Sequence, residues 1–487
     1  MKLNNNQYTL NSKVLPVPSF FSISNLGGGG SDKYRETVYG DILENTPILL
    51  NFFYLNQKKI FGLNGFAVPW LSNIDSYDTF GDFLNYVRQD MINSSKYISS
   101  YHTPDALDYN NNILLLDSGA GNIINNIHLE YDYITEKDKF IERLLEVMKN
   151  YYDFADRFKF DIVIGFDIGG KYTFKGDERS PAIKELNMHI LRDADDLNKI
   201  LLDETIKYLK NKDEFYPKVF ATIHGKNPIA YKTYTQHVLS MEKKYDFTFD
   251  GFAGGGIASA KNAELRRAWG ISSNVETEII AINKKNKNEL YNAILSSYAC
   301  KIIRKTINDN RPIHALGCGG KFNILPLYYA GATSFDAQTP GRRAYDGSAE
   351  NNLNVKNPNA AGTFSKYMVA GLSSKLKASN NSRVFEYLKL PLVDNTTQLC
   401  GCPACILTGN INSLKSLYTK VSPRNKQTED SYYAKQLINI HGIWQHNYLS
   451  RLAQVTPSVS EIIDEFSNHT TFVNSLDYVI NKFNYVL

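Results

Sequence analysis

Asp336 ends a short apolar run, Ala332–Phe335. Pro340 and Gly341 then stop regular structure, and Arg342 and Arg343 follow at once. A carboxylate at the end of a strand, beside a basic turn, suits attack on a sugar carbon while guanidinium groups hold the neighbouring phosphates. Taken alone, the stretch is more simply an N-cap aspartate next to a solvated arginine pair. A second cluster, Cys400, Cys402 and Cys405, places three thiols within six residues, with His441 and His446 further on. Three cysteines and one histidine make a closed tetrahedral zinc site, which is structural rather than catalytic. His441, just ahead of an apolar helical run, is the choice for the fourth ligand, and His446 is the alternative.

These residues need elements to hold them, and the apolar pattern supplies a regular alternation. The stretch VLPVPSFFSI is extended, and the glycine run Gly27–Gly30 reads as a loop. Pro47–Leu55 and Lys59–Trp70 read as strands, followed by Ile113–Leu116, Phe160–Phe166, Lys218–Ile223, Phe247–Phe249, Pro312–Leu316 and Ala332–Phe335. Between them, helical spacing begins at Thr135 and recurs over Ser180–Lys212, Pro228–Lys244 and Asn288–Ile307. Strands this uniformly apolar belong in a parallel sheet covered on both faces.

About eight such strands predict a (β/α)8 TIM barrel over residues 1–350. An appended zinc-binding subdomain with C-terminal helices is expected over 351–487. Polar or glycine-rich signals follow the strands at Asp117, Asp167, His224, Gly251, Gly317 and Asp336. In a barrel those strand ends converge on one mouth, so six scattered signals become one pocket.

Composition narrows the classes. The chain has 487 residues, 43% of them hydrophobic and 21% charged, as in a globular protein. The net charge of +4 admits a nucleic-acid partner through a local patch without requiring one. The N-terminal stretch lacks the apolar core of a signal peptide, and no apolar run approaches membrane-spanning length. Five cysteines, three of them clustered, do not resemble a secreted disulfide framework. A cytoplasmic protein with no membrane partner is expected.

With these pieces placed, the chain resembles the tRNA-guanine transglycosylase superfamily from about Leu114 to the helix after His441. DSGAGN (from Asp117) looks like the family's DSGGFQ, DIVIGFDIGG (containing Asp167) like DIVMAFDEC, and DGFAGGG (from Asp250) like GGLAVGE. LGCGG (from Leu316) stands where MGVG is expected. SFDAQTPGRRAYDG (from Ser334) stands for FDCVMPTRNARNG, and CGCPAC with a following histidine for the CxCxxC…H zinc site.

The resemblance implies that Asp336 is the nucleophile, forming a covalent glycosyl intermediate, and that Asp117 is the general acid/base. It implies a base pocket of Asp167, Ser118, His224, Gly251, Phe252, Gly254, Leu316 and Gly317. Arg342 and Arg343 would hold phosphate, and a structural Zn2+ would bind Cys400, Cys402, Cys405 and His441.

The departures from the family pattern carry information of their own. Gly121 replaces an aromatic that stacks on the base, and Leu316 replaces a methionine. Gly256 replaces the glutamate that meets a cationic aminomethyl group. Losing that carboxylate leaves backbone N–H groups suited to a nitrile, so 7-cyano-7-deazaguanine is the expected incoming base. The divergence favours the branch that modifies DNA. A tRNA enzyme and a non-catalytic nucleic-acid-binding subunit are the alternatives, and a homodimer or helper protein remains admissible.

Overall fold

The computed structural model describes residues 3–4, 7–24, 47–63, 69–93, 109–168, 181–256, 263–284, 287–320, 322–337, 442–443, 446–447, 450 and 470–482. Three short strands, β1 (Leu3–Asn4), β2 (Gln7–Leu10) and β3 (Lys13–Pro16), form an antiparallel sheet. Eight further strands close a barrel: β4 (Ser19–Ser24), β5 (Ile48–Asn51), β6 (Leu114–Asp117), β7 (Ile162–Ile164), β8 (Lys218–Ile223), β9 (Gly251–Gly254), β10 (Ile313–Ala315) and β11 (Ser334–Ala337). Every pairing around the ring is parallel, and β11 pairs back onto β4 to complete it. Helices surround this ring, as in a (β/α)8 TIM barrel.

Alternation along the strands decides what faces the interior. Phe21, Leu49, Leu115, Ile162, Ile164, Phe220 and Ala253 share one buried cluster with Tyr8, Leu10 and Leu15 of the N-terminal sheet. The opposite face carries Phe20, Leu50, Leu116, Val163, Phe252, Ile313 and Phe335 against the helices. The N-terminal sheet therefore plugs the barrel at the strands' N-terminal ends. Lys13 anchors it there, with its Nζ 2.7 Å from both the Asn112 carbonyl and Asp161 Oδ2.

The helices that position the site are α1 (Phe52–Phe61), α2 (Phe80–Asn93), α3 (Ala120–Glu130), α4 (Lys137–Arg157), α5 (Pro181–Lys210), α6 (Pro228–Tyr245), α7 (Ala263–Ala268), α8 (Ser273–Asn283), α9 (Lys287–Ile307) and α10 (Ile324–Tyr329). The sequence expectations for α4, α5, α6 and α9 agree with these bounds to within about two residues. Near the C-terminus, α11 (Thr470–Asp477) docks on α8 through Asn283 and Ser475, and Tyr478 donates to Glu278 over 2.8 Å. Among the described residues no helix is long and apolar enough to cross a membrane.

Three strand expectations are corrected. Pro47–Leu55 is a strand only to Asn51, whose side chain accepts from Tyr54 N and starts α1 there. The expected strand Lys59–Trp70 accordingly begins inside α1, which stops at Gly62 with φ 63°, and ends in the 3-10 turn Pro69–Ser76. The strand expected at Phe247–Phe249 instead begins at Gly251, so the glycine-rich stretch is itself the strand. Lack of side chains hid it, since glycine carries no β signal of its own.

Candidate active site at the barrel mouth

Asp336 lies inside the barrel in β11 and is 3% exposed. One carboxylate oxygen, Oδ1, takes two donors: the Gly317 N–H at 2.8 Å and His314 Nε2 at 3.0 Å. His314 is the central residue of β10, fully buried, and its Nδ1 lies 2.9 Å from Ser334 Oγ. Gly319 N donates to the Asp336 carbonyl, and a Cβ at Gly319 would come within 2.9 Å of that carbonyl. The loop after β10 can close on the Asp336 backbone only because that position is glycine.

Asp117 closes β6 and is half-buried. Its Oδ2 accepts from Gly119 N and from the Asn51 side-chain amide, both at 3.3 Å. Gly119 has φ 74°, and a Cβ there would meet Asn51 Oδ1 at 2.5 Å, so the turn that aims Asp117 excludes any side chain. Burial, and then the charges of Asp167 and Asp336, push the Asp117 carboxyl up to about 7. Among the described residues no cation pairs with Asp117 to oppose that.

Asp167 follows β7. His224 Nε2 sits 2.8 Å from Asp167 Oδ2, a close contact outside hydrogen-bond alignment. Tyr151 braces the strand ends that carry both carboxylates, its hydroxyl reaching the Leu116 and Ile164 carbonyls at 2.8 and 2.7 Å. Phe166 N donates to Tyr152 Oη, and Ile168 N to Asn198 Oδ1, fixing the backbone on either side of Asp167. Three carboxylates thus share the mouth. Asp336 and Asp167 each face a buried histidine, whereas Asp117, whose carboxyl is raised, faces none among the described residues.

The remaining expected residues divide. His224 follows β8 directly, and its ring lies beside Gly255 and Gly256. Its Nδ1 and the Ser118 Oγ are buried without a hydrogen-bond partner among the described residues. Gly254 and Leu316 are adjacent at the mouth, with Leu316 N donating to the Gly254 carbonyl over 3.1 Å. Gly251 and Phe252 do not join them. Gly251 is the first residue of β9, at the plugged end against Phe220 and Pro312. Phe252 faces outward, with the Arg311 guanidinium 4.6 Å from its ring centroid. The strand that shifted by four residues in register with sequence carried both residues away from the pocket.

Arg342, Arg343, Cys400, Cys402, Cys405 and His441 lie outside the described residues. His446, the alternative zinc ligand, is buried against Phe20, with ring centroids 4.7 Å apart and Nδ1 2.7 Å from the Gly442 carbonyl. That contact puts the proton on Nδ1, the tautomer in which a histidine binds metal through Nε2.

Sequence reasoning missed His314, Ser334 and Asn51. The signal for the first two was present: a lone histidine in an apolar strand, and a serine two residues before Asp336 on the same face. Nothing local says that these two strands are neighbours.

A closed parallel barrel with polar side chains gathered at the C-terminal ends of its strands has the architecture of barrel enzymes, which fixes no particular reaction. No family model matches the chain, and no curated protein matches it.

Proposed function

We propose that the chain is a base-exchange transglycosylase that replaces guanine in DNA with 7-cyano-7-deazaguanine through a covalent Asp336 intermediate. The observation that carries this reading is the division of labour among three carboxylates. One meets the Gly317 N–H and His314 Nε2 on a single oxygen, and another has a carboxyl raised to about 7. That is the pairing a double displacement at a sugar carbon uses.

In the first step an Asp336 oxygen bonds to C1′ as the C1′–N9 bond breaks, and its electron pair leaves with guanine. Asp117 supplies the proton that the departing base takes up. In the second step Asp117 removes a proton from the incoming base, whose nitrogen displaces Asp336 from C1′. Atoms and electrons balance with no redox partner. Asp167, His224 and Ser118 line the side of the mouth where a purine edge would be read, with two buried polar atoms left for a ligand to satisfy. In duplex DNA the target nucleotide has to leave the stack to reach this depth. Arg342 and Arg343 would hold its phosphates, and Zn2+ on Cys400, Cys402, Cys405 and His441 would fold the C-terminal part.

The test is incorporation of labelled 7-cyano-7-deazaguanine into separate pools of plasmid DNA and unmodified tRNA, with Asp336→Asn as control. Label in DNA that disappears in the variant is the expected result. Label in tRNA alone transfers the reading to a tRNA enzyme. Label in neither leaves the proposed exchange without support and turns attention to what the protein binds.

A further inference from the structure

We propose that His314 is a positioning residue for Asp336, holding one carboxylate oxygen so that the other meets the sugar carbon. This rests on the glycosyl-transfer reading above and adds to it a residue that no sequence motif singled out. His314 is wholly buried inside the barrel, between outward-facing Ile313 and Ala315, with the Phe21 ring edge-on at 5.4 Å. A buried imidazole is costly unless both nitrogens are occupied, and here both are: Ser334 Oγ at 2.9 Å and Asp336 Oδ1 at 3.0 Å.

The chemistry of the partners fixes the proton. Attack on C1′ requires Asp336 as its anion, which only accepts, so in the attacking state Nε2 carries hydrogen. Nδ1 is then a lone pair that accepts from the Ser334 hydroxyl, and Ser334 locks the tautomer. With the Gly317 N–H at 2.8 Å, Oδ1 receives two donors. Among the described residues Oδ2 receives none, so it is the oxygen free to attack.

The same arrangement serves both displacements. When the Oδ2–C1′ bond forms and the bond to the base breaks, Oδ1 becomes the ester carbonyl oxygen under the same two donors. When the incoming base takes C1′, the Oδ2–C1′ pair returns to the carboxylate, and the donors on Oδ1 stabilise the charge. His314 keeps its proton throughout and touches no substrate atom.

Two substitutions separate positioning from packing. In His314→Gln the amide nitrogen falls where Nε2 was and keeps the contact to Asp336. In His314→Asn it falls where Nδ1 was and keeps only the contact to Ser334. With variants matched for folding by thermal melts, His314→Asn should lower kcat about ten- to a hundredfold at little change in KM. His314→Gln should stay within about threefold of wild type on the same scale. Equal losses in the two variants would overturn the proposal, because a packing role does not distinguish them.

A second readout is independent of turnover. In the full chain labelled with 15N-histidine, the ring signal lost in His314→Gln should report a proton on Nε2 and should shift in Asp336→Asn. A proton on Nδ1, or a signal blind to Asp336→Asn, would overturn the pairing. A wild type that labels neither polymer counts against the glycosyl-transfer reading, and the ring signal then decides the pairing by itself.

Discussion

Asp117, Asp167 and Asp336 are the same functional group, and their neighbours alone make them different. Asp336 has two donors on one oxygen and Asp167 a histidine contact, while Asp117 is half-buried beside two like charges. Raising the Asp117 carboxyl from 3.8 to about 7 is a cost to the folded state, since the folded protein binds a proton that the unfolded chain has lost. The cost grows as pH rises from about 4 and levels off above about 7. Asp117→Asn should therefore be more stable than wild type at pH 8, by on the order of 2 kcal/mol, with the advantage shrinking towards pH 4. Urea titrations of both proteins across that range would measure it. The variant should also lose exchange. In wild type, single-turnover formation of the covalent intermediate should fall as pH rises through about 7, because it needs the protonated acid, while capture of the incoming base should rise.

The strands and the hairpin below them make that separation possible. Period-2 alternation sends Ser334 and Asp336 inward and Phe335 outward, so β11 presents the proposed nucleophile and its support on one face. At the opposite end, Lys13 compensates an Asp161 side chain that is 0% exposed. Desolvation raises the Asp161 carboxyl, and the Lys13 ammonium is the chief opposing influence. Lys13→Met should leave that carboxylate buried without its cation and cost about 3 kcal/mol, visible as a lower denaturation midpoint. Because Lys13 lies at the plugged end, exchange by the folded fraction should be unchanged. A loss of activity without a loss of stability would mean that the two ends of the barrel are coupled. The order and approximate bounds of most elements were legible in the apolar spacing. Missed were α1, which Asn51 starts inside an apolar run, β9, whose glycines give no strand signal, and the elements β1–β3, α2, α3, α7, α8 and α10, which the apolar spacing did not mark.

For the molecule as a whole, the thiol cluster makes a prediction that turnover need not enter. Zinc held by Cys400, Cys402, Cys405 and a histidine would contribute directly to folding. Cys402→Ala, or chelation, should then lower the melting temperature by several degrees and reduce bound zinc measured by atomic emission. Unchanged melting and no zinc would remove the metal reading, and comparing His441→Ala with His446→Ala for retained zinc would identify the fourth ligand.

The sequence by itself determined the barrel, through apolar strands alternating with helices, and it marked Asp117, Asp167, His224 and Asp336 because each interrupts an apolar run at a strand end. Tertiary structure alone decided the rest. Closure of the ring puts β10 beside β11, which brings His314 to Asp336 across 22 positions of sequence. It sets Asn51 beside Asp117 from 66 positions away, and it turns Phe252 out and drops Gly251 to the plugged end. Local spacing reports which face of its own strand a residue takes. Which strand lies next door, and therefore which carboxylate gains a histidine and which retains its proton, depends on contacts between segments far apart in the chain.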